Sequence, residues 1–172
     1  MLVTPLPSIL TINPDCHKEA SGNETPKTTK PGETNMLTKD FVLAGNAIFT
    51  VANAKGERYT FKVVHKESTG RFPEAWMAFL LTGPDNTKNY TYMGMVNPNT
   101  GAVFHTKASA KFANSLPLKV ANWSLNSIVW GGKTLPAGYT AEHAGRCGRC
   151  GRMLTVPESI QSGIGPECAK KL

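Results

Sequence analysis

Glu57-Arg-Tyr-Thr-Phe-Lys-Val-Val-His65, preceded by Ala47-Ile-Phe-Thr-Val-Ala-Asn53, decides the fold class. Both stretches are rich in β-branched and aromatic residues, which suit a pleated, half-buried surface. Asn53-Ala-Lys-Gly56 between them is turn chemistry, with glycine where a positive φ is needed. Tyr59, Phe61 and Val63 alternate with Arg58, Thr60 and Lys62, so one face enters a core and the other stays polar and basic. A β-hairpin follows from this pattern.

The same reading extends downstream. Ala75 to Leu81, a turn at Gly83-Pro84-Asp85-Asn86, and Asn89 to Val96 form a second hairpin. Pro98-Asn99-Thr100-Gly101 turns the chain again into Ala102 to Thr106. Connections this short join antiparallel neighbours, which predicts a five-stranded meander beginning near Phe41. The period then changes. Ala108 to Ser115 reads as helical, and Leu116-Pro117 opens a second helix in which Leu118, Ala121, Leu125 and Ile128 recur at three-to-four spacing. Val120, Trp123 and Trp130 widen the apolar face, and Gly131-Gly132 ends the helix. The expectation is an α+β fold: an antiparallel five-stranded meander packed by two helices over residues 37–138, with a zinc-knuckle module at 139–172.

Residues 1–36 carry Pro5, Pro7, Pro14, Pro26 and Pro31 among polar residues, and read as a disordered, flexible arm. Cys16 and His17 within it are read as an unpaired thiol and its neighbour rather than metal ligands. The N-terminus lacks the basic region of a secretion signal, and the longest apolar run, Ala75 to Leu81, is far below the ~20 residues of a membrane span. A soluble protein with reduced thiols, without a membrane partner, is expected.

The tail carries the chemistry. His143-Ala-Gly-Arg-Cys147-Gly-Arg-Cys150-Gly-Arg is followed by Gly163-Ile-Gly-Pro-Glu-Cys168. Two thiols two residues apart, with Gly151 free to take positive φ, form a knuckle around one ion. Cys168, in the first turn of a helix opened by Gly165-Pro166, is a third ligand whose thiolate a helix dipole favours. His143 is the candidate fourth ligand, which makes a Cys3His site for Zn2+. Thr155 and Glu158 read as a capping box for a short helix ended by Gly163. A zinc deaminase requires His-x-Glu and Pro-Cys-x-x-Cys. Here Glu142 precedes the histidine and no proline precedes Cys147, so no catalytic role is assigned. His65 and His105 stand apart from any nucleophile or carboxylate pattern, and a nonenzymatic protein is expected.

The tail, Gly-Arg-Cys-Gly-Arg-Cys-Gly-Arg-Met-Leu-Thr-Val-Pro-Glu-Ser-Ile followed by Gly-Ile-Gly-Pro-Glu-Cys, resembles an uncharacterised small cysteine-rich domain family of bacteriophage and actinobacterial proteins. The stretches Tyr-Thr-Phe-Lys, Leu-Leu-Thr-Gly-Pro-Asp-Asn and Tyr-Thr-Tyr-Met-Gly are similar to phage-encoded proteins with the same tail. The resemblance implies a phage origin and a zinc-binding tail in which Cys147, Cys150 and Cys168 match the motif and His143 matches it less closely; a phage protein of this kind is expected to act in the host cytoplasm. It implies no activity.

Formal charge is +7. Residues 41–140 hold ten basic against four acidic side chains. A positive field of this kind suits a polyanion. The first expectation is therefore nucleic-acid binding through the sheet domain and through Arg146, Arg149, Arg152, Lys170 and Lys171. Compensation of the zinc thiolates is the competing role for the arginines. A second expectation is a phage accessory protein that binds and inhibits a host protein of defence or metabolism. A third is a small-ligand or nucleotide-binding domain, resting on the aromatic residues of the sheet.

Overall fold

The computed structural model describes residues 37–172. The arm expected at residues 1–36, with Cys16 and His17, lies outside the described residues. Strands β1 (Asn46–Ala52), β2 (Arg58–Lys66), β3 (Ala75–Leu81), β4 (Tyr90–Val96) and β5 (Val103–Phe104) follow one another as the expected antiparallel meander. A sixth strand, β6 (Thr140–His143), joins at the far edge, so the sheet runs β5-β4-β3-β2-β1-β6. It pairs antiparallel with β1, His143 opposite Phe49 and Ala141 opposite Val51. Thr-Ala-Glu-His is too short and too weakly alternating to announce itself as a strand. Its place is set by the open β1 edge, which needs a partner for its backbone groups.

The β1–β2 turn forms as the residues require. The Asn53 side-chain oxygen accepts from the Lys55 and Glu57 amides at 3.0 and 3.1 Å, and Gly56 takes φ +82°. Between β3 and β4 the register shifts, Ala78 facing Gly94 and Phe79 facing Tyr92, so Met93 is an extra residue of β4 and is wholly buried. Gly94 allows the neighbouring strand to close over this bulge. A Cβ there would lie 2.2 Å from the Phe104 carbonyl oxygen, a backbone atom that cannot step aside.

Phe41 does not begin a strand. Thr38 caps a five-residue helix, α1 (Lys39–Leu43), by accepting from the Phe41 amide at 3.1 Å, and Asp40 sits in its first turn. The β-like composition of Phe-Val-Leu reflects burial, since Phe41 and Val42 are fully enclosed. The first of the two expected helices is a 3₁₀ segment, Lys107–Phe112. The second starts where Ser115 caps Leu118 and runs as α2 (Leu116–Asn122), continuing as a π-helical turn, Trp123–Trp130. Gly132, at φ +65°, closes it by donating its amide to the Ile128 carbonyl. Leu118, Ala121 and Leu125 are buried against Phe49, Val51, Phe61, Val63, Ala78 and Leu80, the inward residues of the sheet. Trp123 and Trp130 pack at the rim of that core, and the Trp130 indole N–H donates to the Pro98 carbonyl at 3.0 Å. Among the described residues no helix is long and apolar enough to cross a membrane.

Candidate metal centre

After β6 the chain makes a tight reversal. Arg146 bridges Met153, the Cys147 amide donates to the Arg152 carbonyl at 2.8 Å, and the Gly151 amide donates to the Cys147 carbonyl at 2.9 Å. Gly151 takes φ +74°, the conformation for which glycine after the second thiol was expected. A short helix, α3 (Pro157–Ser162), follows and ends on Gly163 at φ +73°. The expected capping box is not formed there. Val156, not Thr155, holds the cap position, which moves Glu158 from the third to the second helical position and leaves the cap without a side-chain hydrogen bond. Helix α4 (Pro166–Ala169) then places Cys168 in its first turn.

These turns bring Cys147, Cys150 and Cys168 together, their sulfur atoms all within 4.8 Å of one another. A tetrahedral ion with bonds of about 2.3 Å holds its thiolates about 3.8 Å apart, so the triad needs only a small contraction to close on a metal. Cys147 is buried, Cys168 half-buried and Cys150 exposed. The Gly165 amide points to the Cys147 sulfur at 3.5 Å. The donor set is soft and preformed, and it fits a thiophilic divalent ion.

The electrostatics also call for a cation. Burial raises the Cys147 thiol, but the amides of Cys150, Gly165 and Arg149 outweigh it and bring its pKa down to about 7. Cys168 behaves in the opposite sense. Burial and the neighbouring Cys150 and Cys147 sulfurs push it up to about 11. Without a metal, the position in the first turn of a helix does not leave the Cys168 thiol acidic. Four residues of α4 supply little dipole, and a second negative sulfur beside the first is the stronger effect. A bound cation opposes the repulsion that raises Cys168.

His143 is not brought into the triad. It sits on β6, only 3% exposed, with its ring 4.8 Å from that of Phe41. Its Nδ1 accepts the Gly145 amide at 3.2 Å, which occupies the lone pair of the neutral ring and puts the proton on Nε2. The Ile160 carbonyl lies close enough to favour that proton, yet among the described residues no hydrogen bond of good geometry forms at Nε2. Burial, opposed by Ile160 and Glu142, lowers the pKa of His143 below its usual value. The ring is therefore a neutral packing element against Phe41, four residues from Cys147 in sequence but outside the close cluster of the three sulfurs.

A measurable consequence follows from the sign of that shift. The unfolded chain takes up a proton at His143 before the folded one does, so this residue's contribution to stability is present above about pH 6.5 and is lost as pH falls below it. His143→Gln should keep its metal at pH 7.5 and show a shallower fall in melting temperature between pH 7 and 5. Loss of bound metal in that variant at pH 7.5 would instead make His143 a ligand.

The expected basic residues are all exposed. Arg146 donates to the Gly151 carbonyl at 3.2 Å and Arg149 to the Lys171 carbonyl, so each holds the knuckle with part of its guanidinium. Lys170 pairs with Glu167 at 2.8 Å. Arg152 lines a cleft of about 210 Å³ beside the three cysteines, walled by Met153, Leu154, Val156 and Pro166.

Composition alone did not reveal what seats this module. Its own core is small: Cys147 and Ile164, with Leu154 and Cys168 against them and Ala44 from the end of α1. Phe41 supplies the rest. A Cβ on Gly148 would lie 2.7 Å from its ring, and one on Gly163 2.5 Å, so both glycines are required for ring and backbone to meet. The Asn46 amide donates to the Gly148 carbonyl at 2.6 Å, and the Gly148 amide to that of Gly163 at 2.9 Å. Glycines flanking Cys147 and preceding Ile164 were the available signal, but nothing in the sequence pointed from them to Phe41.

Together these features define a three-thiol knuckle built onto the edge of an antiparallel sheet. Residues 137–172 match a family of unknown function (DUF6011). No curated protein and no solved structure shows significant similarity to the chain.

Proposed function

We propose that this is a nonenzymatic zinc protein that binds nucleic acid through its basic surface, the metal serving to hold the C-terminal module in shape. Cys147, Cys150 and Cys168 would hold the ion. Zinc suits them because thiolates are its preferred structural ligands and it undergoes no redox chemistry. When bound, it supplies the charge that lets three crowded thiols ionise together.

One observation carries the nucleic-acid reading. Residues 37–172 hold sixteen basic against eight acidic side chains. Among the described residues, Lys170 with Glu167 is the only Lys or Arg ion pair. Cations used for internal stability would be paired more often, and an unpaired excess of this size favours a polyanion. Arg146 and Arg149 keep guanidinium N–H groups beyond those given to the knuckle, and Arg152 and Lys171 extend the same exposed surface.

The test is a binding isotherm of the zinc-loaded protein with duplex and single-stranded oligonucleotides at several salt concentrations. Four phosphate contacts predict roughly a hundredfold loss between 50 and 200 mM salt. Arg152→Gln should lower the salt slope by about one. A protein that binds no oligonucleotide at 50 mM salt, but is recovered from host lysate in a nuclease-resistant complex, would replace this reading with the host-protein one.

A further inference from the structure

The sheet has a second apolar face that its helices leave alone. Register places Ile48, Lys62, Phe79 and Tyr92 in one row across β1 to β4. Val64, Met77, Met95 and Phe104 form the next row, across β2 to β5. Both lie opposite the inward row of Phe49, Phe61 and Leu80, because successive residues of a strand face opposite sides. The helix residues that pack on the sheet, including Phe112, Leu118 and Leu125, are clustered with the inward row. None of the outer residues belongs to that cluster or to the side chains packed around it.

A sheet face left to solvent normally carries polar residues. This one carries Phe79, Tyr90, Tyr92 and Phe104 on three adjacent strands, Phe104 47% exposed and the other three half-buried. Phe79 and Tyr92 meet edge to face with ring centres 5.7 Å apart. Lys62 sits 5.5 Å from the centre of the Tyr90 ring, and Arg58 and Lys66 alternate onto the same side of β2. Glu142, opposite Thr50 at the β6 edge, is the acid of this face nearest to them in the register. Flat π-surfaces bordered by a line of cations complement a ligand with flat π-faces and a polyanionic backbone.

We propose that this face is a stacking platform for single-stranded nucleic acid. Bases lie on Phe79, Tyr92 and Phe104, and Arg58, Lys62 and Lys66 take the phosphates. The proposal rests on the nucleic-acid reading above and narrows it. A duplex keeps its base faces stacked on one another, so only a single strand can use the rings.

The test uses full-length, zinc-loaded protein and fluorescence anisotropy with labelled oligothymidylate, oligouridylate and a random duplex of equal length. Both single strands should bind at least tenfold more tightly than the duplex. Phe79→Leu combined with Phe104→Leu keeps the face apolar but removes two rings. It should weaken single-strand binding tenfold or more while leaving duplex binding by the arginines unchanged. Lys62→Gln, which does not touch the core, should lower the single-strand salt slope by about one and serves if the double variant fails to fold. Equal single-strand affinity in these variants, or a preference for the duplex, would overturn the platform and leave the nucleic-acid reading standing. No binding to any of the three would remove both.

Discussion

Cys150→Ser should strip the protein of stoichiometric zinc and open its C-terminal module. Cys150 is exposed and contributes little packing, so its replacement isolates the ligand bond from any loss of core. Metal binding to structural thiolate sites is worth on the order of 10 kcal/mol, comparable with the whole stability of an ordinary domain. The module has a few buried side chains of its own, too few to hold thirty-odd residues without a staple. Amide protection over residues 144–172 should collapse and the melting temperature should fall by roughly 10 °C. Strands β2 to β4, buried against the helices, should keep their protection. Cys147→Ser should do the same with an added packing cost, because Cys147 is buried. Full zinc occupancy with an unchanged melting curve in both variants would show that the thiols are not ligands. Acid should act in the same direction, since a Cys168 thiol pushed up to about 11 in the metal-free protein must surrender its proton to bind, and protons compete with the ion.

How much of this was legible in the sequence follows from the range of the interactions. The meander was readable because each strand pairs with its neighbour in the chain, and the turns at Asn53 to Gly56 and Pro98 to Gly101 carry their own chemistry. The Cys147–Cys150 knuckle was readable for the same reason. Strand β6 was not, since its partner lies some ninety residues earlier and four residues carry no period. Phe41 misled because a buried helix of one turn and a buried strand have the same composition. His143 misled because sequence spacing gives distance along the chain and not direction. As the last residue of β6 it is aimed at the Phe41 ring, and the lone pair a metal would need is already taken by the Gly145 amide. The outer aromatic face was legible in part. Arg58 and Lys62 were placed on the outward side, but the rings of β3 to β5 join them only through the register, which the bulge at Met93 sets.

Phe41→Ala is expected to be the most damaging single substitution in the core. The ring is fully enclosed, and it belongs to the main core while also touching the module. Gly148 and Gly163 close on one side of it, and the His143 ring lies tilted against it with ring centres 4.8 Å apart. Truncating a buried phenylalanine costs about 3–5 kcal/mol, partly because the walls cannot collapse into the space. Here the walls include two glycine backbones, which have no side chains to move inward. The melting temperature should drop by 10 °C or more. The sharper reading comes from combining Phe41→Ala with Cys150→Ser. If the module is seated by Phe41, opening it has already removed the ring's contacts with Gly148 and Gly163, and the two losses cannot both be counted in full. The double variant should be less destabilised than the sum of the singles by about 1–3 kcal/mol. Strict additivity would mean that Phe41 serves the sheet alone and that the cysteine module is held to it by backbone pairing through β6 and Asn46.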